Sequence, residues 1–126
     1  MARFISVIRK DISNTSGSPT AIITGSTNSS GVPASTYGVV LSILASNKNA
    51  NSQKVTVQLI KAGGTGSEVV GSLITSGIIP SQSSLEFMTG NKMIVEPGDW
   101  IKAYATAASA IDITVSYMLN PKDTSI

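Results

Sequence analysis

Apolar and polar residues alternate with a period of two along several stretches of the chain, which is the pattern of half-buried β-strands. The clearest stretch is 111–119, in which every odd-numbered residue is apolar and the even-numbered residues from Asp112 to Ser116 are polar. Such a strand has one face suited to a protein interior and one suited to solvent. We therefore predict that the core-facing residues of this strand include Ile111, Ile113, Val115 and Tyr117.

Two earlier stretches, 37–45 and 54–61, carry similar patterns on either side of the polar, turn-forming segment 46–52. In the first stretch, Val39, Leu41 and Ile43 share one face, while the opposite face is also partly apolar, as expected for a central strand. In the second stretch, Val55, Val57 and Leu59 share one face. The two stretches are predicted to form an antiparallel hairpin.

Further strands are predicted in the second half of the chain. Residues 69–79 contain one strand or two, and their glycines indicate bulges or a sheet edge. Residues 85–87 and 93–95 are predicted to form a second hairpin. The segment Glu96-Pro97-Gly98-Asp99 is a strong turn signal, because proline fixes φ at the second position and glycine suits the third. Residues 100–105 alternate again after this turn.

Turn signals spaced by about eight to twelve residues are typical of a β-sandwich or barrel. We predict an all-β fold, an antiparallel two-sheet sandwich of jelly-roll-like form with eight or nine strands. The expected organisation is an N-terminal strand or arm over 1–19, a β-sandwich domain over 20–119 and a C-terminal tail over 120–126.

The N-terminal segment differs from the rest of the chain. Residues 4–12 are favoured as a strand, but both faces of this strand are apolar, and a segment rich in Ser, Gly and Asn follows it. An edge strand of this kind, or an arm ordered on a neighbouring subunit, suits contacts outside its own sandwich. The predicted partner-binding residues are Phe4, Ile5, Val7, Ile8, Arg9 and Lys10.

The composition narrows the chemistry that the chain can perform. The 126 residues include no histidine and no cysteine, which removes Ser-His and Cys-His nucleophiles, zinc clusters and thiol redox pairs. The few carboxylates lack the spacing of a calcium loop. We expect no enzyme activity, no catalytic residue, no cofactor and no metal site.

Charged residues make up only 13% of the chain, about half the share usual for a soluble domain, and the net charge is +2. This deficit of charge favours a surface that is in contact with other protein. We therefore expect the chain to form a homo-oligomer, specifically a homotrimer. The scattered charges do not form a patch for nucleic acid. No run of apolar residues is long enough for a membrane span, so we expect no membrane partner.

The last third of the chain carries a resemblance. The segments Val95-Glu96-Pro97-Gly98-Asp99-Trp100-Ile101-Lys102-Ala103 and Asp112-Ile113-Thr114-Val115-Ser116-Tyr117 resemble those of small β-sandwich structural proteins of tailed bacteriophages, including cyanophages. In that family the first hairpin runs directly from an apolar strand into a Pro-Ala turn. This chain departs from the pattern by inserting residues 25–31 before Val32-Pro33-Ala34.

The resemblance implies a non-enzymatic protein of the virion. It implies first a capsid decoration or cement protein that binds the capsid exterior, with the major capsid protein and other virion proteins as partners. A component of the neck, tail or fibre attachment is the alternative. A carbohydrate-binding module that contacts the host is a third hypothesis, since Trp100, Tyr37, Tyr104 and Tyr117 could stack on sugar rings; packing within the sheets is the better explanation for them.

Overall fold

The computed structural model describes residues 3–15, 17–23, 32, 36–61, 69–88 and 92–121. These residues form nine β-strands and no helix. In chain order the strands are β1 (Arg3–Arg9), β2 (Thr20–Ile23), β3 (Thr36–Asn47), β4 (Gln53–Lys61), β5 (Val69–Ile79), β6 (Ser84–Glu86), β7 (Met93–Val95), β8 (Trp100–Ala105) and β9 (Ile111–Pro121). The predicted insertion at 25–31, the turn at Gly90-Asn91 and most of the predicted tail lie outside the described residues.

The strands form two antiparallel sheets. The first, here called sheet A, has the order β1-β9-β3-β6, and β7 also pairs with β3; the second, sheet B, has the order β2-β8-β4-β5. The predicted all-β, two-sheet antiparallel sandwich is therefore confirmed. Its inner faces interdigitate around one aliphatic core, whose members from both sheets include Ile22, Ile43, Val57, Ile101 and Val115.

Strand β9 has the alternation that its sequence predicts. Ile111, Ile113, Val115 and Tyr117 are buried, while the polar residues between them are only partly buried. Strand β8 alternates in the same way, with Ile101, Ala103 and Ala105 inside. The turn before it is also confirmed: the Asp99 N–H donates to the Glu96 carbonyl at 3.1 Å, and Gly98 has a φ of 91°.

Both predicted hairpins are wrong. Strand β3 pairs with β9, β6 and β7 in sheet A, whereas β4 pairs with β5 and β8 in sheet B. The polar segment after β3 thus carries the chain from one sheet to the other. Strands β6 and β7 likewise do not pair with each other; each pairs with a different part of β3, at Leu44–Ser46 and at Gly38–Val40.

The predicted facing of β3 is also corrected. Its register against β9 shifts between Val40 and Ser42, which leaves Leu41 as an extra residue in a β-bulge. Val40 is buried before the bulge, and Ile43 and Ala45 are buried after it. The bulge therefore moves Val39 and Leu41 off the face that Ile43 occupies.

One polar atom of the core lacks a partner. The Tyr117 hydroxyl is buried and makes no hydrogen bond to any described residue, and burial raises the pKa of this phenol. An unsatisfied buried polar group costs about 1–3 kcal/mol.

We expect Tyr117→Phe to leave the free energy of unfolding unchanged or to increase it by about 1 kcal/mol, because only the unpaired oxygen is removed. Urea denaturation of both proteins measures this change. A loss of more than about 1 kcal/mol would mean that the hydroxyl has a hydrogen-bond partner in solution.

Candidate functional site

The candidate site is one of the two edges of sheet A, the edge formed by β1 and here called the β1 edge. Strand β1 pairs with β9 over its whole length, from Arg3 opposite Leu119 to Arg9 opposite Ile113. Within the described part of the chain no strand pairs with its other side. An edge of this kind can accept a strand from another chain.

The predicted partner-binding residues on β1 divide between the two faces of sheet A. Ile5 and Val7 are half-buried and pack against the core, opposite Tyr117 and Val115. Phe4 and Ile8 point to the other face, with 72% and 58% of their surface exposed. Only the second pair is therefore available to a partner as a surface, while the first pair holds β1 in place.

Arg9 and Lys10 end the strand. The Arg9 guanidinium donates from Nε to the Ala21 carbonyl of β2 at 3.2 Å and from Nη1 to the Ile8 carbonyl at 3.3 Å. It thus links the edge strands of the two sheets. Lys10 is exposed. None of the cations of this segment forms an ion pair with a described carboxylate, so the β1 edge is positively charged.

The strand predicted over 4–12 ends early, at Arg9. Asp11 has a φ of 55°, and the chain then crosses to sheet B. Ile12 lies fully buried in the core, and its N–H donates to the Ile111 carbonyl at 3.0 Å. Ile12 therefore belongs to the packed interior of the sandwich, although it falls within the predicted 1–19 segment.

Asp11 also joins an ionic cluster at this end of sheet A. The Lys48 ammonium contacts the carboxylate of Asp11 and lies 3.0 Å from that of Asp112, and the Asp11 N–H donates to Asp112 Oδ1 at 2.9 Å. Partial burial alone raises the pKa of Asp112, but the hydrogen bond from Asp11 and the Lys48 ammonium outweigh it and lower this pKa. The cluster fastens the crossing segment to β3 and β9.

A second polar site, centred on Glu86 of β6, was not predicted from the sequence. Its carboxylate accepts hydrogen bonds from the Ser42 hydroxyl, from the Ile43 N–H at 2.9 Å and from the Met88 N–H at 3.0 Å. Ser42 and Ile43 lie between the pairings of β3 with β6 and β7, where β3 has a strand partner only on its β9 side. Glu86 therefore bridges the gap between these two pairings.

The hydrogen bonds to Glu86 outweigh the effect of its partial burial. Burial alone raises the pKa of this carboxyl, but the Ser42 hydroxyl and the backbone N–H groups lower it below its ordinary value of 4.5. A carboxylate with a lowered pKa in the folded state stabilises the fold above its unfolded pKa, and this stabilisation is lost as the pH falls through the folded pKa.

We expect Glu86→Gln to lower the free energy of unfolding at neutral pH by about 2 kcal/mol, because charge-assisted hydrogen bonds are replaced by weaker ones. The difference from the parent should shrink as the pH falls below 4.5, where the parent carboxylate becomes protonated. Denaturation at a series of pH values measures both effects, and a difference that stays constant down to the acid range would contradict them.

The aromatic residues of β8 lie on the outer face of sheet B. Trp100 and Tyr104 are half-buried there, and the Lys102 ammonium lies 4.7 Å from the centroid of the Trp100 ring. This contact is a cation–π interaction. A sugar stacking on the same ring face would have to displace the lysine. Tyr117, in contrast, is a core residue.

In the described ranges, no three acidic side chains come together in a way that could hold a metal ion. No helix in the same ranges is long and apolar enough to cross a membrane. The arrangement offers binding surfaces, with a strand edge and a sheet face as the means of contact.

No family model matches the chain, and no curated protein sequence matches it. Solved structures do share its fold. A pilus protein of Bacillus endospore appendages, described as a family of disulfide-linked pili, has a TM-score of 0.52 and 13% identity over 98% of this chain and 88% of its own.

Two structures of infectious bursal disease virus are also similar. The Gx strain gives a TM-score of 0.54 at 4% identity, and the T13 particle gives 0.51 at 8%. Each match covers 94% of this chain, which spans only 32% and 30% of those viral chains. The sandwich is therefore one that is found in protein chains of pili and of virus particles.

Proposed function

We propose that this chain is a non-enzymatic structural protein of a bacteriophage virion, and that it decorates the capsid exterior by binding the major capsid protein. The observation that carries the proposal is the β1 edge, where an open strand exposes Phe4 and Ile8 beside unpaired positive charge. Such an edge suits the addition of a strand from a neighbouring protein. The fold shared with virus-particle chains and the phage-like segments over 95–117 support a virion.

The proposed partner presents an extended, acidic segment to the β1 edge. Opposite charges would then lie near Arg3, Arg9 and Lys10, and apolar side chains of the added strand would lie beside Phe4 and Ile8 in the extended sheet, which leaves the outer face of sheet A uncovered. The proposal includes the homotrimer expected from the low charge. Within the trimer, each copy binds the particle through its own β1 edge. The mass of the dilute protein in solution tests this oligomeric state.

Immunogold electron microscopy of phage particles from the source of this chain tests its location. We expect an antibody to the chain to label the capsid shell. Label confined to the neck, tail or fibres would replace decoration by the alternative position in the virion, and the absence of label from all particles would contradict a virion protein.

Point variants on the exposed side of β1 test the edge. We expect Phe4→Asp and Ile8→Asp to reduce incorporation into particles at least tenfold, a change that corresponds to about 1.4 kcal/mol of binding free energy. Tyr104→Asp, on the outer face of sheet B, is the matched control. Deletion of residues 1–13 is a poor test, because it removes the buried Ile12 as well. Equal incorporation of all three variants would contradict the role of the edge.

A second candidate is a subunit of a filament. The observation that favours it is that the match to the endospore pilus protein spans nearly the whole of both chains, at 98% and 88%. This chain has no cysteine, so its contacts would be non-covalent, unlike the disulfide links of those pili. Filaments of the purified protein in negative-stain micrographs would favour this candidate over decoration.

A further inference from the structure

An apolar row crosses four strands on the outer face of sheet A. The strand registers align Phe4 of β1 with Met118 of β9, Met118 with Val39 of β3, and Val39 with Ile94 of β7. Phe4 and Ile94 are 72% and 50% exposed, and the two residues between them are half-buried. We call these four residues the apolar row; at about 4.8 Å per strand it is about 14 Å long.

The neighbouring positions along the same strands are small. Two residues further along β1 and β9, and three along β3 because of the bulge at Leu41, the registers align Ser6 of β1, Ser116 of β9 and Ser42 of β3, here called the serine row. Beyond it, larger residues return in a third row of Ile8, Thr114, Leu44 and Glu86. The outer face of sheet A thus has a ridge, a groove and a second ridge, all running across the strands.

These three rows carry almost no charge, whereas Asp112, in the next row along β9, belongs to the ionic cluster with Lys48 and Asp11. Among the described residues of these three rows, only Glu86 is charged, and its carboxylate is already held by the Ser42 hydroxyl and two backbone N–H groups. The outer face of sheet B differs, since Lys102 lies at its centre with Trp100 and Tyr104 beside it. Covering these three rows therefore requires no unpaired ion to be desolvated, and the rows of two copies do not repel one another.

We propose that a second copy of this chain packs face to face on the outer face of sheet A. A two-fold axis parallel to the rows, midway between the apolar row and the serine row, places each apolar row over the serine row of the other copy. Ridges then fill grooves at the ordinary spacing of about 10 Å between packed sheets. The contact is isologous, so it closes after two copies.

The size of the face sets the strength of the contact. Four strands and the rows along them cover about 20 by 20 Å, or about 400 Å² per copy. This is about half the area that each partner gives to a standard protein–protein interface, so the contact belongs to the weak, transient class. It becomes effective where other contacts, such as those to a particle, already hold the copies close together.

Sedimentation equilibrium of the purified protein, from about 5 to about 300 µM, tests the proposal. Because the contact is two-fold, we expect the mass to double over this range if the dilute species is a monomer, and to rise at least twofold if it is the proposed trimer, whose three copies each carry the face. Met118→Lys and Ile94→Lys should abolish the doubling, because each buries a lysine in the contact. Tyr104→Lys, on the outer face of sheet B, should retain it.

A mass that stays constant up to the highest concentration would overturn the proposal and leave this face to a different protein. Doubling that persists in both apolar-row variants would also overturn it. Thermal unfolding of each variant shows that it is folded, and Ile94→Lys changes a side chain that is half exposed. These outcomes are independent of where the protein lies in a virion.

Cross-linking tests the position of the axis. Because the chain has no cysteine, Ser116→Cys introduces a single reactive thiol close to the proposed axis. A short bismaleimide should join two copies of this variant, whereas Ser72→Cys, exposed on β5, should stay uncoupled under the same conditions. Equal coupling of both variants, or coupling of Ser72→Cys alone, would contradict the proposed packing.

Discussion

Val115→Asp is expected to lower the free energy of unfolding by about 4 kcal/mol or more, which is enough to unfold a marginally stable domain. Val115 is fully buried on β9, between Val7 of β1 and Ile43 of β3. A carboxylate at this position has no described cation within the core to pair with, so it must either remain charged without a partner or take up a proton.

Urea denaturation and circular dichroism measure this effect, and Thr114→Asp is the matched control. Thr114 is the adjacent residue of the same strand and lies on the outer face. An aspartate at position 114 should lower the free energy of unfolding by less than about 1 kcal/mol. Similar losses in both variants would mean that the facing of β9 is wrong.

Asn47→Ala is expected to lower the free energy of unfolding by about 3 kcal/mol. The Asn47 side chain is 98% buried at the end of β3. Its Nδ2 donates to the carbonyls of Asn51, Ile79 and Pro80 at 3.0–3.2 Å, and its Oδ1 accepts from the Asn49 N–H at 2.9 Å. Alanine would leave these backbone groups without this partner and create a cavity.

The control for Asn47 is Asn51→Ala. Asn51 belongs to the same turn, but it is exposed and contributes only backbone groups to the network. Its substitution should therefore lower the free energy of unfolding by less than about 0.5 kcal/mol. Chemical denaturation compares the two variants. Equal losses would indicate that the turn as a whole, rather than the buried amide, holds the end of β3 against β5.

The alternation of apolar and polar residues predicted the fold correctly where one face of a strand is buried and the other is exposed to solvent. This condition holds for β8 and β9, and their core residues follow directly from the pattern. It fails for β3, which lies between β9 on one side and β6 and β7 on the other. There the sequence is apolar on both faces, and the one-residue shift at Leu41 is invisible in the pattern.

Strand partners were harder to predict than strands. The hairpin predictions assumed that neighbours in sequence pair with each other, but β3 and β4 belong to different sheets. The choice of strand partners depends on interactions between segments that are distant in sequence, including the bridge that Glu86 makes to β3. The residues of the candidate site were predicted as a group from their apolar and basic character. Their division into an anchoring face and an exposed face depends on the core beneath Ile5 and Val7, which the local sequence does not encode.

The pairing of β1 with β9 has a consequence for the kinetics of folding. It brings together the first and last strands of the sandwich, and the hydrogen bond between Asp11 and Asp112 joins residues 101 positions apart in the chain. Contacts this distant in sequence close large loops, which makes folding slow, on a timescale of milliseconds to seconds. During synthesis on a ribosome, β1 and β3 would have to wait for β9 to emerge before sheet A could form. Until then both strands would have exposed edges, so newly made chains would be most prone to aggregation in that interval.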